Sequence, residues 1–140
     1  MTGEIVVGVD SSETALAAAQ VAAELARALG RPLHVVTAFE EQSFEVVGAG
    51  SDTFTVSSDS EARRVAEKVA AAVGADVEGV TVAASQGKPA DVLVREAERL
   101  DASLVVVGNR RMQGVTRVLG SIANSVTHHA PCDVYVVKTT

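Results

Sequence analysis

Two segments of the sequence combine glycine with polar residues in the way that phosphate-binding loops do. Residues 8–12 read Gly-Val-Asp-Ser-Ser and follow a short β-branched run, and residues 108–121 begin at Gly108 and end at Gly120-Ser121. Glycine lets a chain turn off a strand without interference from a Cβ atom. A helix that starts near Ser121 would offer its first N–H groups to an anion. We therefore interpret the two segments as two sides of one ligand site.

The second segment also carries positive charge, in a chain whose formal net charge is −6. Arg110, Arg111 and Arg117 lie between its glycines. Each arginine alone is typical of a solvated side chain, and Ser121 alone is typical of a helix N-cap. Together, at a strand end and a helix start, they favour phosphate binding.

Asp10 allows two interpretations. In the structural interpretation, it caps the first helix or lies close to that cap, as aspartate often does. In the functional interpretation, it accepts a hydrogen bond from a ligand or holds a metal ion at a phosphate. Its place at the end of the first strand run favours a ligand role that is shared with a structural one.

The elements that position these residues alternate strictly between strand and helix. Gly30 is expected to end the first helix, and Pro89 suits the first turn of the third. Alternation with apolar strands predicts one doubly wound α/β domain over residues 1–140, a parallel sheet with helices on both faces. Residues 40–59 show no sustained periodicity of apolar residues, which predicts a long surface loop. The predicted strands are residues 4–9, 33–39, 80–84, 104–107 and 134–137, and the predicted helices are residues 15–29, 58–73, 89–100 and 121–129.

Composition argues against several classes of function. The acidic chain has no basic run, which argues against non-specific nucleic-acid binding, and its apolar runs are too short to span a bilayer. The single cysteine, Cys132, allows no internal disulfide, so we expect a reducing cytoplasm. Cys132 is expected to be a buried small residue and Lys88 a solvated one. The adjacent His128 and His129 point in different directions on a helix, which argues against a metal site.

Five fragments, in this order and spacing, resemble the universal stress protein family over the whole chain, in its small single-domain, actinobacterial-type form. The resemblance implies a five-stranded parallel sheet in the order 3-2-1-4-5, with the first and fourth strands adjacent. Ligands in such sheets bind beyond the carboxyl ends of the strands, where the strand order reverses. The fragments are residues 5–12, 87–90, 105–110, 119–121 and 129–134.

The resemblance also implies an adenine-nucleotide site. In it, Asp10 and the adjacent backbone contact adenine and ribose, Ala38 lies against adenine, and the second segment lines ribose and phosphates. The implied ligand is ATP or cyclic AMP, with or without Mg²⁺. The residues assigned to the site are Gly8, Val9, Asp10, Ala38, Gly108, Asn109, Arg110, Arg111, Gly114, Gly120, Ser121 and Ile122.

The chain departs from the family's ATP-binding pattern, Gly-x2-Gly-x9-Gly-Ser/Thr, at two points. Arg111 stands at the second glycine position, and the segment to Gly120 is one residue shorter. Gly114 is expected to supply some of the lost flexibility. Arg111 therefore either replaces a backbone contact to phosphate with a bidentate side chain or blocks the site.

These observations predict a nucleotide-binding stress-response sensor or adaptor that is not an enzyme. The alternatives are a slow ATP hydrolase, for which Asp10 is the one evident catalytic group, and an interaction module that binds no nucleotide. We expect a homodimer through residues 132–138, because the last strand presents an apolar edge around Val134 and Val136, and the resemblance implies the same.

Overall fold

The computed structural model describes residues 3–40, 58–109 and 120–139. Strands and helices alternate along these residues, as predicted. The strands are β1 (Ile5–Gly8), β2 (Leu33–Phe39), β3 (Val80–Gln86), β4 (Leu104–Gly108) and β5 (Asp133–Val137), and the helices are α1 (Glu13–Leu29), α2 (Ser58–Val73), α3 (Pro89–Leu100) and α4 (Ser121–His129).

All strand pairs are parallel, and the five strands lie in the order β3-β2-β1-β4-β5. This confirms the predicted fold class and the strand order that the resemblance implied. Ile5 and Val7 of β1 face α1 and α2, whereas Val6 faces α3 and α4. Because neighbouring residues of a strand point to opposite faces, both faces of the sheet are covered by helices.

Helix ends follow the local signals that the sequence carries. Gly30 ends α1 with φ = 66°, in the left-handed region that glycine enters without a steric penalty. Pro89 begins α3, where its missing N–H removes no helical hydrogen bond.

Several bounds differ from those predicted. Strand β3 continues two residues further, to Gln86, because Ser85 and Gln86 still pair with Ala38 and Phe39 of β2. Helix α1 begins at Glu13, directly after its N-cap Ser12.

The predicted loop over residues 40–59 lies mostly outside the described residues. Its last two residues belong instead to α2, which has Asp59 and Glu61 in its first turn. Carboxylates are favoured there because the N-terminus of a helix carries a partial positive charge. In the described part of the chain, no helix is both long and apolar enough to cross a membrane.

Candidate functional site

A cavity of about 270 Å³ opens at the carboxyl ends of β1, β2 and β4. It lies where the strand order reverses between β1 and β4, which is the usual ligand position in an open parallel sheet. It brings together eight of the predicted site residues, namely Gly8, Val9, Asp10, Ala38, Gly108, Gly120, Ser121 and Ile122.

One wall of the cavity is apolar. It is formed by Val36 of β2, Val107 of β4, and Val92 and Leu93 of α3. These four side chains belong to the core between the sheet and helices α3 and α4. A rigid wall of branched aliphatic groups suits a flat, apolar ring, because ligand sites are mostly hydrophobic with a few placed polar groups.

Asp10 supports the start of α1. Its Oδ1 accepts hydrogen bonds from the Ser12 backbone N–H at 2.8 Å and the Ser12 hydroxyl at 2.6 Å. Ser12 Oγ in turn accepts from the Ala15 N–H at 3.2 Å, so Ser12 is the N-cap of α1 and Asp10 holds the capping side chain. Asp10 therefore has the expected structural role, as a residue close to the cap of α1 rather than as the cap itself. Asp10 also lines the cavity and is exposed to it.

The start of α4 corrects one interpretation of Ser121. The N-cap of this helix is Gly120, with no side-chain cap hydrogen bond, and Ser121 is the first helical residue. Gly120 suits this role because its carbonyl accepts the Asn124 N–H at 2.9 Å while its backbone stays extended. The N–H groups of Ser121, Ile122 and Ala123 precede the first intrahelical donor. They therefore face the cavity as an anion-binding end.

Three helices direct their N-terminal turns at the cavity. The first turn of α1 contributes Thr14 and Ala15, that of α3 contributes Pro89, and that of α4 contributes Ser121 and Ile122. Their partial positive charges favour a negatively charged ligand. Among the described residues that line the cavity, only Asp10 has a charged side chain.

Of the other predicted site residues, Asn109 is the one that the structure describes. Asn109 is not among the described cavity-lining residues, and its Oδ1 accepts hydrogen bonds from Thr139. Arg110, Arg111 and Gly114 lie outside the described residues.

Sequence reasoning missed the contributions of α1 and α3 to the cavity, namely Thr14, Ala15, Pro89, Val92 and Leu93. The sequence did contain a signal for the contributions of these two helices. Thr14 and Pro89 lie in the first turns of helices that follow strands, and the predicted fold puts such turns at one edge of the sheet.

The other singled-out residues lie away from the cavity. His129 Nδ1 is hydrogen-bonded to the Ser125 carbonyl oxygen at 2.9 Å, in the exposed last turn of α4. Burial raises the pKa of the Cys132 thiol, and the carboxylates of Asp133 and Asp101 raise it further. A thiol of this kind is a poor nucleophile at neutral pH. Lys88 is exposed, as expected. In the described ranges, no group of three or more His, Cys, Asp or Glu side chains is placed to hold a metal ion.

A buried polar cluster, which the sequence analysis did not identify, lies towards the amino ends of the strands. His34 of β2 and Glu96 of α3 are 4% and 6% exposed. His34 Nε2 lies 2.9 Å from Glu96 Oε1, and His34 Nδ1 lies 2.6 Å from Thr81 Oγ1. Arg99 Nη2 and Nε donate to the two oxygens of Glu96 at 2.8 and 3.1 Å. We call His34, Thr81, Glu96 and Arg99 the buried polar cluster, after its buried pair His34 and Glu96; Thr81 is exposed and the side chain of Arg99 is 56% exposed.

The guanidinium of Arg99 lowers the pKa of Glu96, and His34 contributes in the same direction, although burial opposes both. Glu96 therefore stays ionised and accepts hydrogen bonds from both neighbours. The sequence signal that could have identified Glu96 was its spacing on the helix, because Val92, Leu93, Glu96 and Ala97 form the buried stripe of α3.

Known proteins share both the sequence pattern and the fold. Residues 1–138 match the model of the universal stress protein family. A universal stress protein of Methanothermobacter thermautotrophicus is 37% identical over 54 residues, a match that covers 39% of this chain and only 37% of the archaeal protein.

Two solved structures carry bound adenine nucleotides. A universal stress protein in complex with cAMP is 28% identical, with all of both chains covered and a TM-score of 0.73. The universal stress protein of Archaeoglobus fulgidus in complex with dAMP is 26% identical, with 97% of this chain and 98% of that chain covered and a TM-score of 0.66. The family match spans nearly the whole sequence, and the sheet has the order that the family implies, so the chain belongs to the universal stress protein family.

Proposed function

We propose that this protein binds an adenine nucleotide, ATP or cyclic AMP, in the cavity between β1 and β4 and acts as a sensor or adaptor rather than an enzyme. The observation that carries the proposal is the pairing of an apolar wall with three converging helix N-termini. The wall suits a purine ring and the helix ends suit phosphate. The bound cAMP and dAMP of the two similar proteins support the same class of ligand.

In this proposal, the ring lies against Val92, Leu93 and Ala38, and the phosphate lies at the start of α4. Asp10 is the carboxylate within reach of ribose hydroxyls, and it is the described cavity group that could contact a phosphate-bound Mg²⁺. One carboxylate together with phosphate oxygens is a common arrangement for that ion. The bound nucleotide would change the surface around the cavity, and a partner protein would recognise that changed surface.

Native mass spectrometry of the purified protein tests the proposal, followed by calorimetric titration with cyclic AMP, AMP, and ATP with and without Mg²⁺. We expect saturable binding of at least one of these ligands and no turnover of ATP. Turnover would favour the slow hydrolase. The absence of binding by every ligand would favour the interaction module, in which Arg111 blocks the site.

Replacing Asp10 or Ser121 with alanine should weaken nucleotide binding and leave the fold intact. A hydrogen bond to a charged group contributes roughly 1.5–3 kcal/mol, so we expect about a tenfold or greater loss of affinity for Ser121→Ala. Glu13→Ala is the control for Asp10→Ala, because Glu13 is an exposed carboxylate in the first turn of α1 outside the cavity lining. Calorimetry that gives wild-type affinity for both cavity variants would place the ligand elsewhere.

The homodimer is proposed to form through β5, which lies at one edge of the sheet. Tyr135 of this strand is 45% exposed. An edge strand with an exposed aromatic group favours pairing with a second copy.

Replacing Tyr135 with lysine should convert the dimer to a monomer, because a charged side chain on an edge strand opposes pairing. Leu29→Lys is the matched control, since Leu29 is 54% exposed but lies at the end of α1. Multi-angle light scattering at micromolar concentration measures the mass. A monomeric wild-type protein would contradict the proposal, and so would a dimer that survives Tyr135→Lys unchanged.

A further inference from the structure

We propose that Asn109 is a positioning residue, which ties the carboxyl end of β4 to the end of β5 and thereby holds Gly108 in place at the cavity. The inference rests on the proposed function and assigns Asn109 a role different from ligand contact. Its basis is the hydrogen bonding at the carboxyl ends of the two strands.

The ladder between β4 and β5 continues one step beyond the strands. Gly108 pairs with Val137, and the Asn109 N–H donates to the Val137 carbonyl at 2.9 Å. In a parallel ladder the next bond would run from the N–H of residue 139 to the backbone carbonyl of residue 109. Here the Thr139 N–H donates instead to the side-chain Oδ1 of Asn109, at 3.0 Å.

The side chain of Asn109 thus takes the place of its own backbone oxygen in the ladder. The Thr139 hydroxyl donates to the same Oδ1 at 3.1 Å, so both polar hydrogens of Thr139 converge on one acceptor. Side-chain amides and carboxylates substitute for backbone acceptors in this way at the ends of regular structure. The backbone can therefore leave the sheet after Gly108 while residue 109 stays attached to it.

The anchor lies beside the cavity without lining it. Gly108 lines the cavity, and a Cβ atom on Gly108 would lie 3.4 Å from Thr139 Cγ2, so Thr139 packs directly behind it. Neither Asn109 nor Thr139 is among the described cavity-lining residues. Among the described residues, Asn109 and Gly108 are the ones that link Thr139 to the cavity.

The test uses four variants of the full chain. Asn109→Ala removes the acceptor, Thr139→Ala removes the hydroxyl donor, and Thr139→Pro removes both donors of Thr139. Thr127→Ala is the matched control, because the Thr127 hydroxyl donates to the Asn124 carbonyl at 2.9 Å in α4, away from the anchor. Each variant is titrated with AMP.

We expect Asn109→Ala and Thr139→Pro each to weaken AMP binding about three- to tenfold, the range set by the loss of one or two hydrogen bonds. Thr139→Ala should have a smaller effect and Thr127→Ala none. The double variant Asn109→Ala with Thr139→Pro should bind AMP no more weakly than Asn109→Ala alone, because the two residues act through one contact. Loss of affinity in Asn109→Ala with wild-type affinity in Thr139→Pro would overturn the inference in favour of direct ligand contact.

Amide hydrogen exchange separates this inference from the proposed function. In the ligand-free protein, Asn109→Ala and Thr139→Pro should each speed exchange of the residue 109 amide, which donates to Val137, by about three- to tenfold. If the wild type binds no adenine compound, the proposed function fails, and faster exchange in both variants still supports the anchor. Unchanged exchange in both variants overturns it.

Discussion

Replacing Glu96 with alanine should destabilise the fold by about 2–3 kcal/mol at neutral pH, the scale of a lost hydrogen bond to a charged group that leaves a buried donor without its partner. Glu96 is 6% exposed and contacts His34 and Arg99 within the buried polar cluster. Its removal leaves the Nε2 of the buried His34 without its acceptor and leaves a space in the core between α3 and the sheet. Urea denaturation followed by circular dichroism measures the change.

Glu61→Ala is the matched control for Glu96→Ala. Glu61 also pairs with an arginine three residues later, at 3.3 Å from Arg64, but the two side chains are 67% and 66% exposed. Exposed pairs contribute about 0–1 kcal/mol, so Glu61→Ala should have little effect. Equal destabilisation by the two variants would show that the buried polar cluster contributes nothing beyond an ordinary surface pair.

Because its pKa is lowered, Glu96 should also make the stability of the fold depend on pH. The folded state holds the carboxylate ionised at a pH where the unfolded chain begins to bind a proton. The resulting stabilisation is complete above the ordinary pKa of a glutamate and is lost as the pH falls through the lower, folded-state pKa. Wild-type stability should therefore fall more steeply than that of Glu96→Ala in this acid range. Parallel pH profiles would contradict this assignment.

Replacing Gly8 with valine should reduce nucleotide affinity by well over tenfold, or about 1.4 kcal/mol at the least. A Cβ atom at this position would lie 2.9 Å from both terminal methyl carbons of Leu93. Gly8 and Leu93 both line the cavity, so the displaced leucine and the added methyl groups both take space that a ligand needs. Titration with cyclic AMP and ATP, at a temperature where the variant is folded, measures the loss.

Gly30→Ala is the control for the general cost of replacing a glycine. Gly30 has φ = 66° with nothing within 4 Å of an added Cβ atom, and it ends α1 away from the cavity. Its replacement should cost about 1 kcal/mol of stability and leave affinity unchanged. Wild-type affinity in Gly8→Val would mean that the nucleotide does not occupy this cavity.

Much of the fold was predictable because its signals are local. The bounds of β2, α3 and α4 follow from apolar runs and from Pro89, Gly120 and Pro131 within or beside them. The sheet order came from the resemblance to the family, since alternating strands and helices allow more than one order. The described ends of the two glycine segments, Gly8, Gly108 and Gly120, line one cavity, because β1 and β4 are neighbours.

Details at the helix starts were harder to predict. Asp10, Ser11 and Ser12 are consecutive residues that can all cap a helix, and composition cannot tell which of them does so. The structure assigns the cap to Ser12 and makes Asp10 its support. Gly120, rather than Ser121, caps α4, because the backbone leaves its extended conformation one residue earlier than a serine cap would require.

By itself, the sequence determined which segments form strands and helices, which ends of them combine glycine with polar residues, and the acidic charge of the chain, since these depend on residues a few positions apart. Only the tertiary structure decided that α3 supplies the apolar wall of the cavity, that Asn109 meets Thr139, and that His34 meets Glu96, 62 positions away. Contacts of this kind depend on how each helix packs back across the sheet. Residues that meet across parallel strands are separated in the sequence by a whole crossover connection. Over that many residues, periodicity and spacing do not predict which residues are in contact.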